Sequence, residues 1–274
     1  MQYFPNAAHA KTMTTEELRS SFLLSGLFTP GQLNLRVTDL DRAVIGGAVP
    51  LGKPITLDTH EALKAEYFTE RREVGILNIG GEGSVSAGGN KYDLKARDVL
   101  YVGRGTRDIS FESKDRSNPA RFYMISYRSH AAHPIELVTA DKASMSELGS
   151  MEKANRRRIY RYIHADGAKS GQLVMGVTVL DPGSVWNTMP AHTHFRRTEV
   201  YLYFDLPADS IVVHLMGEPD ELRPLIIRDG EVALSPGWSV HSGCGTNNYS
   251  FCWAMGGENQ DYGDMQPVQM EALR

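Results

Sequence analysis

From residue 74 onward the chain alternates short apolar runs with glycine-rich turns. Residues 74–79 are apolar and stop at Gly80-Gly81. Residues 84–87 and 92–95 follow on either side of Gly88-Gly89, and 99–102 stop at Gly103-Arg104-Gly105. Residues 109–112 and 122–127 complete this first series. A second series repeats the grammar at 173–180, 199–204, 211–216, 225–227, 232–234 and 250–255. Short β-branched and aromatic runs between turn residues, recurring roughly every eight to twelve positions, predict an all-β sandwich or barrel.

Two helix starts come earlier. Thr14 with Glu17 three residues on is a capping box ahead of Leu18, Phe22 and Leu23, and this helix should end before Pro30-Gly31. Asp58 with Glu61 opens a second short helix that runs to about Phe68. Between the two strand series lies a polar, charge-rich connector, 139–158, read as partly helical. The expected organisation is mostly β with a few short helices. Two similar domains, 1–140 and 141–274, are joined by that connector as an internal duplication. The first lacks any His-x-His, so only the second is expected to carry a metal.

Composition narrows the function. A hydrophobic fraction of 41% and a charged fraction of 23% are ordinary for a soluble globular chain. A formal charge of -4 provides no broad field for phosphates and argues against nucleic acid. No apolar run has the roughly eighteen residues of a membrane span, and the first residues lack the flank and core of a signal peptide. The expected compartment is therefore the cytoplasm. Cys244 and Cys252, the only cysteines, do not make a disulfide scaffold. No G-x-G-x-x-G fingerprint follows a strand.

The candidate chemistry sits at the start of a strand of the second series. His192 and His194 alternate, so on extended backbone they face the same way, and Glu199 follows five residues later. His241 lies in the turn-rich run Ser235-Pro-Gly-Trp-Ser-Val-His241-Ser-Gly243. Imidazoles and a carboxylate converging from strand backbone make a first-row metal site with positions left open for water or substrate. Cys244, three residues past His241, is a lesser candidate ligand.

This pattern resembles the cupin superfamily, although the glycine usual six residues before the first histidine is Trp186 here. A narrower resemblance spans the chain. Gly183-Ser-Val-Trp-Asn-Thr-Met-Pro-Ala-His-Thr-His194 with Arg196-Arg197 is similar to the signature of the 5-keto-4-deoxyuronate isomerases (4-deoxy-L-threo-5-hexosulose-uronate ketol-isomerases). So are Glu147-Leu-Gly-Ser-Met-Glu-Lys-Ala-Asn-Arg-Arg157, Tyr160-Arg-Tyr-Ile-His164, Gly171-Gln-Leu-Val-Met-Gly176 and Gly256-Gly-Glu-Asn-Gln-Asp-Tyr262. The resemblance implies a bicupin subunit, one Zn2+ held by His192, His194, Glu199 and His241, and a homohexamer acting in pectin and uronate breakdown. The implied reaction turns 5-dehydro-4-deoxy-D-glucuronate into 3-deoxy-D-glycero-2,5-hexodiulosonate through a metal-stabilised enediolate.

Such a reaction needs a base, an acid and a hold on the substrate carboxylate. Glu258, Asp261 and His164 are the candidate acid–base groups. Arg161, Arg197 and Tyr262 are the candidate substrate contacts, since a guanidinium fork matches a carboxylate. Trp186, Tyr201, Tyr203 and Trp253 are candidates for the pocket wall. Two other readings share the same ligands, an Fe(II) cupin dioxygenase and a sugar-binding cupin with a structural metal.

Overall fold

The computed structural model describes residues 1–274. The chain divides into two compact units, and the division does not fall at one point of the sequence. The first comprises Met1–Gln2, Gly26–Ser144 and Arg161–Met175, the second Tyr3–Ser25, Met145–Tyr160 and Gly176–Arg274. No helix is long and apolar enough to cross a membrane.

The first unit is a sandwich of two antiparallel sheets. The larger runs Glu136–Val138, Val99–Val102, Arg72–Asn78, Phe122–Arg128, Val44–Ala48, Leu33–Val37. The smaller runs Ile55–Thr56, Ser110–Ser113, Gly83–Ala87, Asn90–Leu94. Val74, Ile76, Leu100, Val102 and Met124 from one and Val85, Leu94 and Phe111 from the other form a single apolar core. Phe111 and Phe122 meet across it at 5.3 Å. The segment Arg161–Met175 is fastened here by Glu73, a fully buried carboxylate. It accepts the backbone N–H groups of Gly171 at 2.6 Å and of Gln172 and Leu173 at 2.9 Å, and the Tyr101 hydroxyl at 2.8 Å. Gly75 makes room for the same segment, since a Cβ there would lie 2.6 Å from Met175 Sδ.

In the second unit Leu23–Leu24, Val232–Ser235, Thr198–Phe204, Ser250–Gly256 and Val174–Leu180 lie side by side in the larger sheet. The smaller sheet runs Trp186–Asn187, Ser242–Gly245, Val212–Met216, Arg223–Ile227. The N-terminal segment belongs here for identifiable reasons. The helix Thr15–Phe22 carries the expected capping box, with Thr14 N donating to Glu17 Oε2 at 2.7 Å and Glu17 N to Thr14 Oγ1 at 3.3 Å. Its buried Phe22 packs edge-on to Trp238 at 6.1 Å. Arg223 donates to the carbonyls of Ala10, Lys11 and Met13.

Two expectations fail. No α-helix starts at Asp58, because only a 3-10 turn, Glu61–Leu63, forms there. Lys64 then takes a left-handed conformation at φ 48° that ends it. The connector 139–158 is not helical either. It contains the strand Ser144–Leu148 and a turn in which Ala154 has φ 49°.

Candidate metal centre

Glu199 is the second residue of Thr198–Phe204, a strand on which Glu199, Tyr201 and Tyr203 share one face. His241 comes immediately before Ser242–Gly245, at the end of the turn that Ser239 N closes onto Pro236 O at 2.9 Å. Gly237 is obligatory in that turn, since a Cβ would lie 2.5 Å from the carbonyl of His194. His192 lies on a short strand, His192–Thr193, which pairs with Gln266–Pro267, and His194 follows directly after it. These segments bring four polar side chains together, and Glu199, His194 and His241 are all at most 5% exposed.

Their donor atoms converge. His192 Nε2 is 3.1 Å from His194 Nε2 and 3.0 Å from His241 Nε2. Glu199 Oε2 is 2.8 Å from His241 Nε2 and 3.2 Å from His194 Nε2. One ligand atom from each of the four lies within 4.8 Å of all the others. Donors bonded to one ion at about 2.0–2.2 Å sit roughly 3–3.5 Å apart, and these distances match that spacing.

Protein groups alone leave the cluster unsatisfied. Glu199 Oε2 is buried with no hydrogen-bond partner, its nearest neighbours being the two imidazole nitrogens. Burial pushes the Glu199 carboxyl up, but His241 and His194 outweigh that and hold it far below the usual carboxylate range. Burial, then the neighbouring His241, lowers His192 to about 3, so its imidazole is neutral and its lone pair available. His241 Nδ1 lies 3.4 Å from the Ser239 carbonyl, an arrangement that keeps its Nε2 free for a ligand role. Three imidazole nitrogens and a carboxylate aimed at one point are the donor set of a divalent first-row cation. Cys244 is not part of the cluster.

The other expected site residues are not among the four clustered side chains. Glu258 is paired with Arg196 at 2.5 Å, and Asp264 with the same guanidinium at 2.6 Å. Asp261 offers its backbone carbonyl to Arg197, which also donates to Asn259 Oδ1 at 3.0 Å. Tyr262 packs its ring against Trp253 at 6.3 Å. These contacts, with Phe195 N donating to Gln266 Oε1 at 3.1 Å, bind the C-terminal segment alongside the His-x-His strand. Arg161 and His164 belong to the first unit. They line a pocket of about 180 Å³ with Glu136, Lys142, Ser144 and Asp166. Sequence reasoning passed over His214 and Asn187, which lie in the interior of the second unit. The available signal was a single histidine inside the apolar strand Val212–Met216.

The architecture and the cluster together define a mostly β, two-unit cupin protein with a metal-type ligand set in its second unit. Similar folds are found in an IolB-like protein of Salmonella typhimurium LT2 (TM-score 0.75, 13% identity, 90% of this chain and 97% of that one). An oxalate decarboxylase of Bacillus subtilis with Mn(II) centres is also similar (TM-score 0.59, 9% identity, 90% and 79%). At those identities the likeness is one of fold. The chain belongs to the KduI/IolB family, whose profile matches residues 26–269. It is 50% identical over 273 residues, 100% of this chain and 99% of the other, to the 4-deoxy-L-threo-5-hexosulose-uronate ketol-isomerase of Halalkalibacterium halodurans. It is 50% identical to the enzyme of that name in Caldicellulosiruptor bescii, covering 96% of both chains.

Proposed function

We propose that this protein is a ketol-isomerase of uronate catabolism acting on 4-deoxy-L-threo-5-hexosulose uronate. The observation that carries the reading is the 50% identity to enzymes of that name over essentially the whole chain. The reaction moves a carbonyl from an aldehyde carbon to its hydroxyl-bearing neighbour without net oxidation, which fits a site of imidazoles and a carboxylate. His192, His194, Glu199 and His241 are proposed to hold one divalent cation per chain, zinc by the family resemblance. When bound, that ion supplies a Lewis acid for a substrate oxygen.

The chain's own residues set the remaining conditions. Glu199, ionised and buried, brings one negative charge to the cluster, and His192, neutral, brings none. Tyr201 forms part of the wall, its ring 5.5 Å from that of His241 and its hydroxyl 3.0 Å from Thr188 Oγ1. Burial keeps that hydroxyl protonated, so it is a hydrogen-bond donor. Arg197 is proposed for the substrate carboxylate, because its Nε and Nη1 have no partner in the chain. Glu258, Asp261 and His164 remain proposals for proton transfer, Arg161 and Tyr262 for substrate contact. A cytoplasmic homohexamer is the proposed setting.

The test is turnover of the keto-uronate followed by NMR of the product. A product that has lost the aldehyde and gained a ketone next to a new primary alcohol supports the reading, and recovery of unchanged substrate by metal-replete protein rejects it. Run in heavy water, the proton-transfer route places deuterium on the new alcohol carbon, whereas a hydride shift leaves that carbon unlabelled.

A further inference from the structure

The four clustered side chains are not held equally. Glu199 lies on a strand flanked on both sides, by Val232–Ser235 and by Ser250–Gly256. His241 immediately precedes Ser242–Gly245, which is likewise flanked by Trp186–Asn187 and Val212–Met216. His192–Thr193 belongs to a sheet of only two strands, and its partner is Gln266–Pro267, close to the end of the chain. The register sets His192 opposite Pro267 and Thr193 opposite Gln266. On either side, Val268 N donates to the Ala191 carbonyl at 3.0 Å and Phe195 N to Gln266 Oε1 at 3.1 Å.

The segment that supplies this partner crosses the ligand loop after Ser250–Gly256. Gly257 permits the crossing, since a Cβ there would strike the Arg196 carbonyl. Arg196 grips the returning chain with both sides of its guanidinium. Nε donates to Asp264 Oδ2 at 2.6 Å and Nη1 to Glu258 Oε2 at 2.5 Å. The Asp264 carbonyl accepts from Gln266 Nε2 at 2.7 Å, which leaves Gln266 Oε1 turned to Phe195 N. The far end is tied to another loop, with Leu222 N donating to the Arg274 carbonyl at 2.7 Å and Arg274 N to the Pro219 carbonyl at 3.0 Å. Yet no residue from 257 to 274 is buried. The Arg196 and Asp264 side chains are 34% and 33% exposed, and ion pairs that water reaches are weak and screened by salt. A segment with so little buried surface opens more readily than the core strands that carry Glu199.

We infer that residues 257–274 are a strap over the metal centre, that Arg196 and Asp264 are positioning residues which hold it shut and keep His192 in register, and that a divalent cation enters and leaves through the strap-open form. The inference rests on the reading that the four side chains hold a cation. Glu199, His194 and His241 are buried, and of the four only His192 is half-buried, so the least enclosed ligand is the one the strap covers. With the strap open, the backbone of His192 loses its strand partner while Glu199 and His241 keep theirs. The coupling is reciprocal. If closure tightens the hold on the ion, the bound ion favours closure by the same factor.

The test uses the full chain loaded with Zn2+ and a chelator that changes colour when it takes up the ion. Asp264→Ala and Arg196→Met are expected to bind Zn2+ about 10–100-fold more weakly, the range for losing an outer partner of a ligand, and to release it correspondingly faster. In wild type, release should quicken as salt is raised, because the Arg196 pairs are screened, and in Asp264→Ala that dependence should flatten. Hydrogen exchange gives a second readout. The Phe195 and Val268 amides should exchange more slowly in loaded than in metal-free wild type, by a factor at least as large as the affinity lost in Asp264→Ala. Affinity and release in both variants within about twofold of wild type overturn the inference, as does exchange that is indifferent to Zn2+. Thr14→Ala, which weakens a helix cap of the same unit, should leave release unchanged. If it quickens release as much, the effect is general loosening and the inference fails. Should a variant not fold, the salt dependence and the exchange of wild type still decide the matter. Wild type that takes up no Zn2+ removes the metal reading and the strap's role together, whereas Zn2+ bound equally by wild type and strap variants removes the strap's role alone.

Discussion

Each of the four clustered side chains is useful because its neighbours deny it water. Glu199 Oε2 has no hydrogen bond and His192 is neutral, so neither has a partner as good as a cation at the point they share. Replacing His192 by Ala removes one ligand from an enclosed set. Metal analysis is expected to find less than about a tenth of wild-type occupancy at equal free metal, since even outer-shell changes cost roughly 10–100-fold in affinity. His214 adds a pH signature to the metal-free protein. Its folded pKa of about 3 lies below the ordinary value of 6.5, so between those limits the unfolded chain binds a proton that the folded chain does not. Stability should therefore fall as pH drops from 6.5 toward 3, by up to ~1.4 kcal/mol per pH unit from this group. Urea midpoints for wild type and His214→Gln should converge as pH falls through that window. That His192, His194, Glu199 and His241 come together was legible in the sequence, because residue type and alternation mark them. The fates of Glu258 and Arg197 were not, because an ion pair with Arg196 or a carbonyl from Asp261 is visible only once distant loops meet.

Elements are held by local chemistry that is partly readable in one dimension. The capping box of Thr15–Phe22 was readable, since Thr14 and Glu17 are three residues apart. Thr14→Ala should cost about 1 kcal/mol of stability, measured by denaturant unfolding, and leave metal content untouched. The strand Val44–Ala48 was not readable, because its sequence VIGGA has weak strand propensity. Its glycines are there for space, with a Cβ at Gly46 falling 2.6 Å from Leu35 Cδ2 and one at Gly47 2.6 Å from Leu27 O. The link from Glu73 to Gly171, Gln172 and Leu173 spans about a hundred residues and has no sequence signal. Glu73→Ala leaves three backbone N–H groups without their acceptor, and on the order of 3 kcal/mol or more should be lost. A smaller loss in chemical unfolding would show that water replaces the carboxylate.

At the scale of the whole molecule, strand grammar separated by Gly-Gly turns conveyed the all-β class and most strands to within a residue or two. It did not convey that Tyr3–Ser25 joins the second unit and Arg161–Met175 the first, since those assignments depend on Phe22 against Trp238 and on Glu73. The metal-type cluster lies wholly within the second unit. A chelator should thus lower the melting temperature, and restored metal at a hundredfold excess over its Kd should return about 2.7 kcal/mol. The most direct measurement of the central claim is a metal titration of chelated protein, with turnover of 4-deoxy-L-threo-5-hexosulose uronate and bound metal read from the same samples. The expected result is activity that rises in proportion to bound metal and saturates at one ion per chain, with His192→Ala flat throughout. Full turnover by metal-free protein, or metal binding without turnover at any stoichiometry, would contradict it.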